Sequence, residues 1–427
     1  MNYNAWSVDR ARFWYMLSII ILAFVLVMIA VRQVGRVRFR IWQVMLCGAL
    51  LSLVTGEISL LRAVKSINFD VIIFLFGMFV VGQALEQSGY LAWLSYRFFR
   101  RAKSVDVLVL LVLFGMGFMS AFLMNDTVAI IGTPVMIYLA KRHSISPKLL
   151  LLALMSSITI GSTVSPIGNP QNLLIVIHGN ITNPFLSFFR HLFVPTVLNL
   201  LVAYLLLKCC NGSQFRRAPL NHEPDAILDL HLARLSQVSL LLILFMIIAK
   251  IVLAFSDISV NFRLTYISLA AALPVIMFTP RRLEIVRKID WSTITFFVAM
   301  FVLMQSVWDS GVFQSAITRL PVDLTSTSMI FTVSVLLSQL ISNVPLVALY
   351  LPMLLHAEAS TETMIELAVG STIAGNLLIL GAASNIIVIQ NAEKRGSAGL
   401  SFIQFAAFGL PLTVINLGIY WLCLKFL

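Results

Sequence analysis

The sequence predicts an all-α polytopic membrane protein made of two inverted repeats, each with five transmembrane helices and one re-entrant hairpin. Of its 427 residues, 59% are hydrophobic and only 11% are charged, whereas soluble domains are about 45–50% apolar and about 25% charged. Apolar runs recur along the whole chain, and a bilayer-spanning helix needs about 20 such residues. These two observations predict the class, and an internal repeat predicts the two halves.

The first repeat is predicted over residues 1–207, with crossings at about 13–31, 41–57, 70–88, 149–178 and 186–207. Its fourth crossing is broken, and an amphipathic stretch (90–103) and an apolar hairpin (105–140) precede it. A polar cytoplasmic linker, 208–234, leads to the second repeat, 235–427, with crossings at about 235–255, 263–279, 291–309, 364–390 and 402–425. The fourth of these is also broken, and a second hairpin (326–356) precedes it. The first apolar run lacks signal-peptide features and is expected to stay as a helix.

The repeat is visible as three blocks of matching residues in the same order. One block pairs Phe74, Met78-Phe79-Val80, Gln83 and Ser88-Gly89 with Phe296, Met300-Phe301-Val302, Gln305 and Ser310-Gly311. The others pair Ser120, Asn125 and Pro134 with Ser338, Asn343 and Pro352, and Thr159, Gly168 and Asn172 with Thr372, Gly381 and Asn385. Such a pattern indicates duplication. Five crossings are an odd number, so the second half is inverted, as in many secondary transporters.

Positive charge predicts the orientation. Most of the 30 Lys and Arg residues fall in loops on one side, at 32–40, 97–103, 141–148, 208–234, 281–288 and 394–395. The positive-inside rule makes that side cytoplasmic and places both termini outside the cytoplasm. The expected location of the protein is the cell inner (plasma) membrane. The net charge of +12 is thus an orientation signal, and no nucleic-acid partner is expected. Cys47, Cys209, Cys210 and Cys423 show no metal or redox spacing and are expected to be core or interface thiols, with acylation of Cys209 or Cys210 as the alternative.

Proline and glycine interrupt apolar runs at matching places. Pro166, Gly168 and Pro170 cannot share one continuous helix, and the second half has a corresponding stretch from Gly375 to Asn385. Hydrocarbon cannot satisfy free peptide groups, so such breaks are expected to line a polar cavity. Helix N-termini there would attract anions and carbonyl ends would attract a cation. The alternative is a proline kink that serves packing alone.

Each hairpin carries a polar cluster at its middle. Asn125-Asp126-Thr127 precedes Pro134, and Ser342-Asn343 precedes Pro352. An apolar hairpin with a polar tip is typical of a segment that enters the membrane and returns. Two ordinary crossing helices joined by a surface turn are the alternative.

Asp126 is the only acidic residue that the sequence places inside an apolar core. A carboxylate at mid-membrane costs roughly 2.5–3.5 kcal/mol on insertion scales, so it is expected to be protonated or to hold a cation. The hypothesis is that Asp126 carries H⁺ or Na⁺, with Asn125 and Thr127 as neighbouring oxygen ligands. The alternative is that Asp126 caps the second hairpin arm. Glu86 and Asp309 lie near helix ends and are expected at interfaces.

The candidate substrate- or ion-binding residues are those of the two hairpin tips and the two breaks: Asn125, Asp126, Thr127, Gly168, Asn169, Gln171, Asn172, Ser342, Asn343, Gly381, Ser384 and Asn385. No catalytic residue and no metal site is predicted. No cofactor is expected, apart from Na⁺ or H⁺ as a coupling ion.

These motifs resemble the ion transporter superfamily, which contains arsenite permeases, sodium/proton antiporters, citrate–metal symporters and divalent-anion/sodium symporters. The resemblance covers nearly the whole chain. It implies a scaffold domain that forms a homodimer, and a transport domain of both hairpins and both broken helices that moves as an elevator. It also implies binding roles for Ser342-Asn343 and Ser384-Asn385.

Two departures narrow the expected function. The chain has Asn125-Asp126-Thr127 where dicarboxylate symporters carry Ser-Asn-Thr, and Gln171-Asn172 where they carry Ser-Asn. It therefore resembles the arsenite and sodium/proton branch more. The predicted function is secondary active transport of a small inorganic ion or oxyanion, coupled to H⁺ or Na⁺. A sodium/proton antiporter is the first alternative, and a channel and an intramembrane enzyme are others, although HExxH and GxSxG are absent. The expected partners are membrane lipid and the transported ion. The chain lacks a Walker A pattern, so ATP drive within this chain is not expected, and an ATPase partner stays open.

Overall fold

The computed structural model describes residues 17–29, 33–34, 37–179, 181, 183–216, 220, 226–255, 264–312, 325–397 and 400–426. Both termini lie outside the described residues, and the prediction that they face outward therefore concerns residues that the structure does not describe. Parts of the predicted first crossing and of the predicted linker 208–234 also fall outside them.

The described chain is mainly helical. Its helices are Leu17–Ile29, Ile41–Val54, Leu60–Ser66, Phe69–Gln87, Tyr90–Phe99, Val105–Leu111, Gly117–Leu123, Asn125–Arg142, Pro147–Ser162, Pro170–His178, Pro184–Cys210, Gly212–Phe215, Leu230–Phe255, Leu264–Phe278, Arg282–Lys288, Trp291–Asp309, Thr327–Ile341, Asn343–His356, Thr361–Ile373, Ala383–Lys394 and Phe402–Phe426. A π-helical turn, Val112–Met116, joins two of them, and the short strands Gln33–Val34 and Val37–Arg38 pair antiparallel. The predicted all-α class is confirmed.

Six helical segments, counted over the described residues, are long and apolar enough to cross a bilayer when the π-helical turn is taken as part of one continuous segment. They are Phe69–Gln87, Val105–Leu123, Pro184–Cys210, Leu230–Ala249, Trp291–Asp309 and Phe402–Phe426. Others of 10–17 residues, such as Ile41–Val54 and Pro147–Ser162, are equally apolar but shorter. The chain is thus a multi-pass membrane protein.

Local sequence signals set several helix starts. The Ser59, Ser104 and Ser360 side chains accept hydrogen bonds from backbone N–H groups of the first turn that follows, which satisfies donors that have no helical partner. Proline begins the helices at Pro147 and Pro184, where its missing N–H is not needed.

The chain divides into two compact units that do not coincide with the two sequence halves. The first unit comprises residues 1–76 and 290–322, and the second comprises 77–289 and 323–427. Each unit therefore draws segments from both predicted repeats. The second unit contains both hairpins and both broken helices, which is the set that the resemblance implies for a transport domain.

In the first unit, Ile41–Val54 packs along Trp291–Asp309. Asp309 lies at its helix end and pairs with Arg62 at 2.9 Å. Asp290 is buried, with 3% of its surface exposed. Its carboxylate accepts from the backbone N–H and the hydroxyl of Thr293. The sequence analysis singled out Asp126 as the acid inside an apolar core and did not predict that Asp290, which caps a helix, is also buried.

In the second unit, the hairpins and broken helices pack in a crossed pattern. The first arm of each hairpin packs on the first half of the broken helix from its own sequence half. The second arms exchange partners: Asn125–Arg142 packs on Ala383–Lys394, and Asn343–His356 packs on Pro170–His178. This exchange brings the tips and breaks of both halves into one polar region.

Loops that the charge distribution assigns to one side contact each other within this second unit. The Leu220 N–H donates to the Lys103 carbonyl at 2.9 Å, the Ser146 N–H donates to Gln214 at 3.2 Å, and Lys394 donates to the Lys288 carbonyl. The cation-rich loops thus share one face of this unit.

Candidate functional site

Each hairpin turns at a single residue with an unusual backbone. Met124 has φ 64° and ψ 147°, and Ser342 has φ 70° and ψ 162°. This region is essentially restricted to glycine, and another residue there costs on the order of 1–3 kcal/mol. Neither residue is glycine, so the surrounding structure must hold both tips. The second arms begin directly after them, at Asn125 and Asn343.

The tip of the first hairpin lies against the first break. The Asn125 N–H donates to the Gly168 carbonyl at 2.9 Å. A Cβ at Gly168 would lie 2.2 Å from the Ser162 carbonyl oxygen, so this approach requires glycine. Asn125 Oδ1 accepts from the Asp126 N–H at 2.8 Å. The Asn125 side-chain oxygen therefore already accepts one hydrogen bond from the backbone, and its second lone pair is the one that the predicted role as an oxygen ligand would use.

The predicted first break is confirmed, because one helix ends at Ser162 and the next begins at Pro170. Asn169 caps the second helix, its Oδ1 accepting from the Asn172 N–H at 2.8 Å. Asn172 Nδ2 lies within hydrogen-bond distance of the carbonyls of Ser162, Thr163 and Ser165, at 3.3, 3.4 and 3.0 Å. Carbonyls at a helix end lack helical donors, so the Asn172 amide stabilises the break itself.

Thr372 joins the two broken helices. Its hydroxyl accepts from Asn169 Nδ2 at 3.1 Å and from Gln171 Nε2 at 3.4 Å. The same hydroxyl donates to Asn172 Oδ1 at 3.2 Å. The sequence pattern did not place Thr372 in the site, although the repeat pairs it with Thr159. Its position at the end of Thr361–Ile373 shows that both breaks meet.

The predicted second break is also confirmed. Two 3₁₀ turns, Ala374–Asn376 and Ile379–Gly381, separate Thr361–Ile373 from Ala383–Lys394. Asn385 Nδ2 donates to the Gly375 carbonyl at 2.6 Å. Gln339, from the first arm of the second hairpin, donates to the Ala374 carbonyl at 2.9 Å. Sequence reasoning missed Gln339, whose Oε1 would lie 2.6 Å from a Cβ at Gly381.

Several buried oxygens without a hydrogen-bond partner lie on the segments that form these junctions. They are Asp126 Oδ1, Thr159 Oγ1, Ser338 Oγ, Gln339 Oε1, Asn343 Oδ1, Ser384 Oγ and Asn385 Oδ1. Other described residues away from the junctions, such as Asn199 and Asn416, also have such oxygens. One nitrogen, Asn376 Nδ2, shares this condition at the second break. Carbonyl and carboxylate oxygens can only accept hydrogen bonds. Within the described chain, the predicted site residues receive no hydrogen bond from Lys or Arg.

The two breaks are therefore chemically unequal. At the first, Asn169 and Asn172 are engaged in holding the backbone. At the second, Ser384 and Asn385 keep oxygens that no described residue satisfies, and both residues are fully buried. Asp126 Oδ1 is likewise buried without a described partner, so it makes no capping bond. Thr127 is buried in the same helical turn.

A multi-pass helical protein with two helical hairpins and two broken helices around buried polar groups has the architecture of a membrane transporter. The profile of the citrate transporter family, CitMHS, matches residues 24–366. The chain belongs to this family, which confirms its predicted place in the ion transporter superfamily. The family model is that of a transporter, and the rice relative, the mycobacterial relative and the solved structure below are also named as transporters.

Several curated proteins are similar over most of this chain. The P protein of Mus musculus is 24% identical over 86% of this chain and 55% of its own length, so the chain spans about half of that relative. A silicon efflux transporter of Oryza sativa subsp. japonica is 28% identical, over 87% of this chain and 89% of its own. An uncharacterized transporter of Mycobacterium tuberculosis is 26% identical, over 83% and 85%. Among solved structures, the Alcanivorax borkumensis YdaH transporter, described as having an unusual topology, aligns over 97% of both chains with TM-score 0.45 and 14% identity.

Proposed function

We propose that the protein is a secondary active transporter of a small inorganic ion or oxyanion, coupled to H⁺ or Na⁺. The observation that carries the proposal is the set of buried, unpartnered oxygens at the junction of both hairpins and both breaks. An unsatisfied buried polar group costs about 1–3 kcal/mol. A ligand that supplies positive charge or hydrogen-bond donors would remove that penalty for several groups together.

The acceptor-rich site favours a substrate that donates hydrogen bonds. An inorganic oxyacid in its protonated form presents several hydroxyl groups, and each can donate to an amide or carboxylate oxygen. A relative named for silicon efflux supports this class of solute. Ionised carboxylates of citrate are acceptors only, so citrate would need an accompanying cation in this site.

Asp126 is proposed as the group that carries the coupling ion. It follows the strained tip of the first hairpin, and its Oδ1 has no described partner. A carboxylate in this position is neutralised by a proton or by a cation. Asn343, Ser384 and Asn385 supply further oxygens in the second half.

Elevator-type transport is proposed for the second unit, since it holds both hairpins and both broken helices. The proposal also includes two inverted repeats and a scaffold that forms a homodimer. It places the protein in the cell inner membrane with both termini outside the cytoplasm. The matching backbone at Met124 and Ser342 supports the duplication.

A sodium/proton antiporter is the second candidate. Na⁺ is a hard cation that takes oxygen ligands, like those that Ca²⁺ and Mg²⁺ prefer, and the unpartnered groups named above at the tips and breaks are oxygens apart from Asn376 Nδ2. In that case, Asp126 would bind Na⁺ and H⁺ in turn, and no oxyacid would move.

A flux assay in proteoliposomes tests both candidates. Uptake of arsenite, silicic acid, sulfate, phosphate, citrate and Na⁺ is compared with and without an imposed pH or Na⁺ gradient. The proposal expects gradient-dependent movement of arsenite or silicic acid. Na⁺ flux without any oxyacid flux would establish the antiporter instead. Movement of citrate alone, without a cation, would refute the assignment of the substrate class.

A further inference from the structure

A second polar region lies on the cation-rich face of the second unit. A cavity of about 400 Å³ opens there, lined among others by Glu86, Pro134, Ile137, Tyr138, Lys141 and Arg395. These residues come from three segments: Phe69–Gln87, the second arm of the first hairpin, and the end of the second broken helix. Nothing in the predicted site includes this cavity.

The cavity follows one stripe of the hairpin arm Asn125–Arg142. Pro134, Ile137, Tyr138 and Lys141 are three or four residues apart, so they share one helix face. Continued toward the tip at the same spacing, that face carries Ile130 and then Asp126. At 1.5 Å per residue, Asp126 lies roughly 12 Å from Pro134 along the helix axis.

A polar contact occupies the interval between the cavity and Asp126. Pro134 has no N–H, so the Ile130 carbonyl loses its helical donor. Asn391 Nδ2 donates to that carbonyl at 3.3 Å. Asn391 Oδ1 and both polar atoms of the neighbouring Gln390 side chain have no partner among the described residues, although these residues are only 2% and 3% exposed.

Buried amides of this kind are normally satisfied by ordered water. Gly82 faces the same arm, and a Cβ there would make an ordinary contact with Ile130 Cγ2, at 3.6 Å. Glu86 lies one turn further along the Gly82 helix and lines the cavity.

An ion pair stands at the cavity wall. Arg395 Nη2 lies 2.5 Å from Glu86 Oε2, and Arg395 Nε lies 3.3 Å from Glu86 Oε1. A third group, Arg395 Nη1, donates to the Asn391 carbonyl at 3.2 Å. The Arg395 charge is thereby offset by Glu86, so this pair places no net charge at the cavity wall.

We infer that this cavity is the aqueous entrance by which the coupling ion, H⁺ or Na⁺, reaches Asp126 from the face that the charge distribution predicts to be cytoplasmic. Gln390 and Asn391 form the polar link between the cavity and the hairpin tip. The role of the coupling ion rests on the proposed function, whereas water access to the link does not.

Thiol labelling tests the water access directly. In a background with Cys47, Cys209, Cys210 and Cys423 changed to serine, Ile137→Cys and Gln390→Cys are exposed to a membrane-impermeant cationic methanethiosulfonate. Leu139→Cys is the matched control, because Leu139 is on the same helix, is 1% exposed and is not among the cavity residues. Thiolates react where water ionises them, so both variants should label at least about tenfold faster than the control. Labelling should occur in vesicles that expose the cation-rich face, and should be slow in vesicles of the opposite orientation.

Equally slow labelling of all three cysteines would overturn the entrance. A second variant tests the link in transport: Asn391→Leu keeps approximate volume but removes the amide, and should slow gradient-driven uptake. Asn391→Gln, which can restore the donor to Ile130, should recover part of the rate. Normal uptake by Asn391→Leu at native thermal stability would contradict the link. Rapid labelling combined with unaltered coupling in Asp126→Asn would instead refute the role proposed for Asp126 while leaving the entrance intact.

Discussion

Met124 and Ser342 adopt nearly the same left-handed, extended backbone at the tips of the two hairpins, with φ 64° and 70° and ψ 147° and 162°. Each is followed by an asparagine that begins the second arm. This conformation strongly favours glycine, yet other residues adopt it at both hairpin tips. We infer that the hairpins require this turn shape. It ends one helix and starts the next within one residue, which places helix ends at the polar junction.

Replacing Ser342 with glycine should stabilise the fold. Glycine adopts the tip conformation without the Cβ clash, so the free energy of unfolding should rise by about 1–3 kcal/mol. Ser342→Ala is the matched control, because it removes the hydroxyl but keeps the clash. Thermal unfolding in detergent measures both. If the glycine variant unfolds at the same temperature as the alanine variant, the tip is not strained.

Replacing Asp126 with asparagine should uncouple transport from the driving gradient. The neutral amide keeps the size of the side chain but can neither carry a proton nor neutralise a cation. Coupling between two sites typically changes affinity by about 5–150-fold, and that gradient effect should disappear in the variant. Uptake in proteoliposomes at several imposed pH gradients measures it. Glu358→Gln, at an exposed acid, should keep the native dependence, and an Asp126→Asn variant with native pH dependence would contradict the carrier role.

Much of this architecture is predictable from the sequence because membrane constraints act locally. Pro166 and Pro170 exclude a continuous helix, so the sequence alone locates the first break. The helix Trp291–Asp309 has the bounds that the apolar run predicted. The polar tips are identifiable because a small cluster such as Asn125-Asp126-Thr127 stands out in an apolar hairpin.

The sequence did not predict which polar residues have hydrogen-bond partners and which keep an unpartnered oxygen. Asn172 and Asn385 occupy matching positions in the predicted repeat, and both donate to break carbonyls, yet Asn172 Oδ1 accepts from Thr372 whereas Asn385 Oδ1 has no described partner. This difference depends on how far each backbone unwinds, which the letters do not encode. The contact between Thr372 and Asn169 spans two halves of the chain, so only the folded path reveals it. Gln339 was missed for a different reason: its counterpart in the predicted repeat is an alanine, Ala121, so no matching polar pair marks it.

Replacing Thr372 with valine should weaken the junction of the two breaks. Valine keeps the shape but removes the hydroxyl, which leaves Asn169 Nδ2, Gln171 Nε2 and Asn172 Oδ1 without this partner. Each buried group that loses its partner costs about 1–3 kcal/mol. Thr372→Ser restores the hydroxyl and is the control. Thermal unfolding and transport rate should both fall in the valine variant and recover in the serine variant, and equal stability of the two variants would show that the junction does not depend on Thr372.

Replacing Gly161 with alanine should separate the first hairpin from the first broken helix. A Cβ at Gly161 would lie 2.3–2.5 Å from the backbone of Gly117, and backbone atoms cannot yield as a flexible side chain does. Overpacking of this kind costs about 1–3 kcal/mol.

Gly418→Ala is the matched control for that substitution. Gly418 lies inside the helix Phe402–Phe426, and no described heavy atom lies within 4 Å of its added Cβ. Alanine there should stabilise the helix by roughly 0.5–1 kcal/mol. The temperature of thermal unfolding in detergent should therefore fall for Gly161→Ala and rise for Gly418→Ala.

The close packing at Gly117 also connects the hairpin arm that leads to Asp126 with the broken helix that Thr372 contacts. Transport should thus fall in Gly161→Ala even where folding is rescued at low temperature, and a variant with native stability and native flux would show that these two segments do not move as one body.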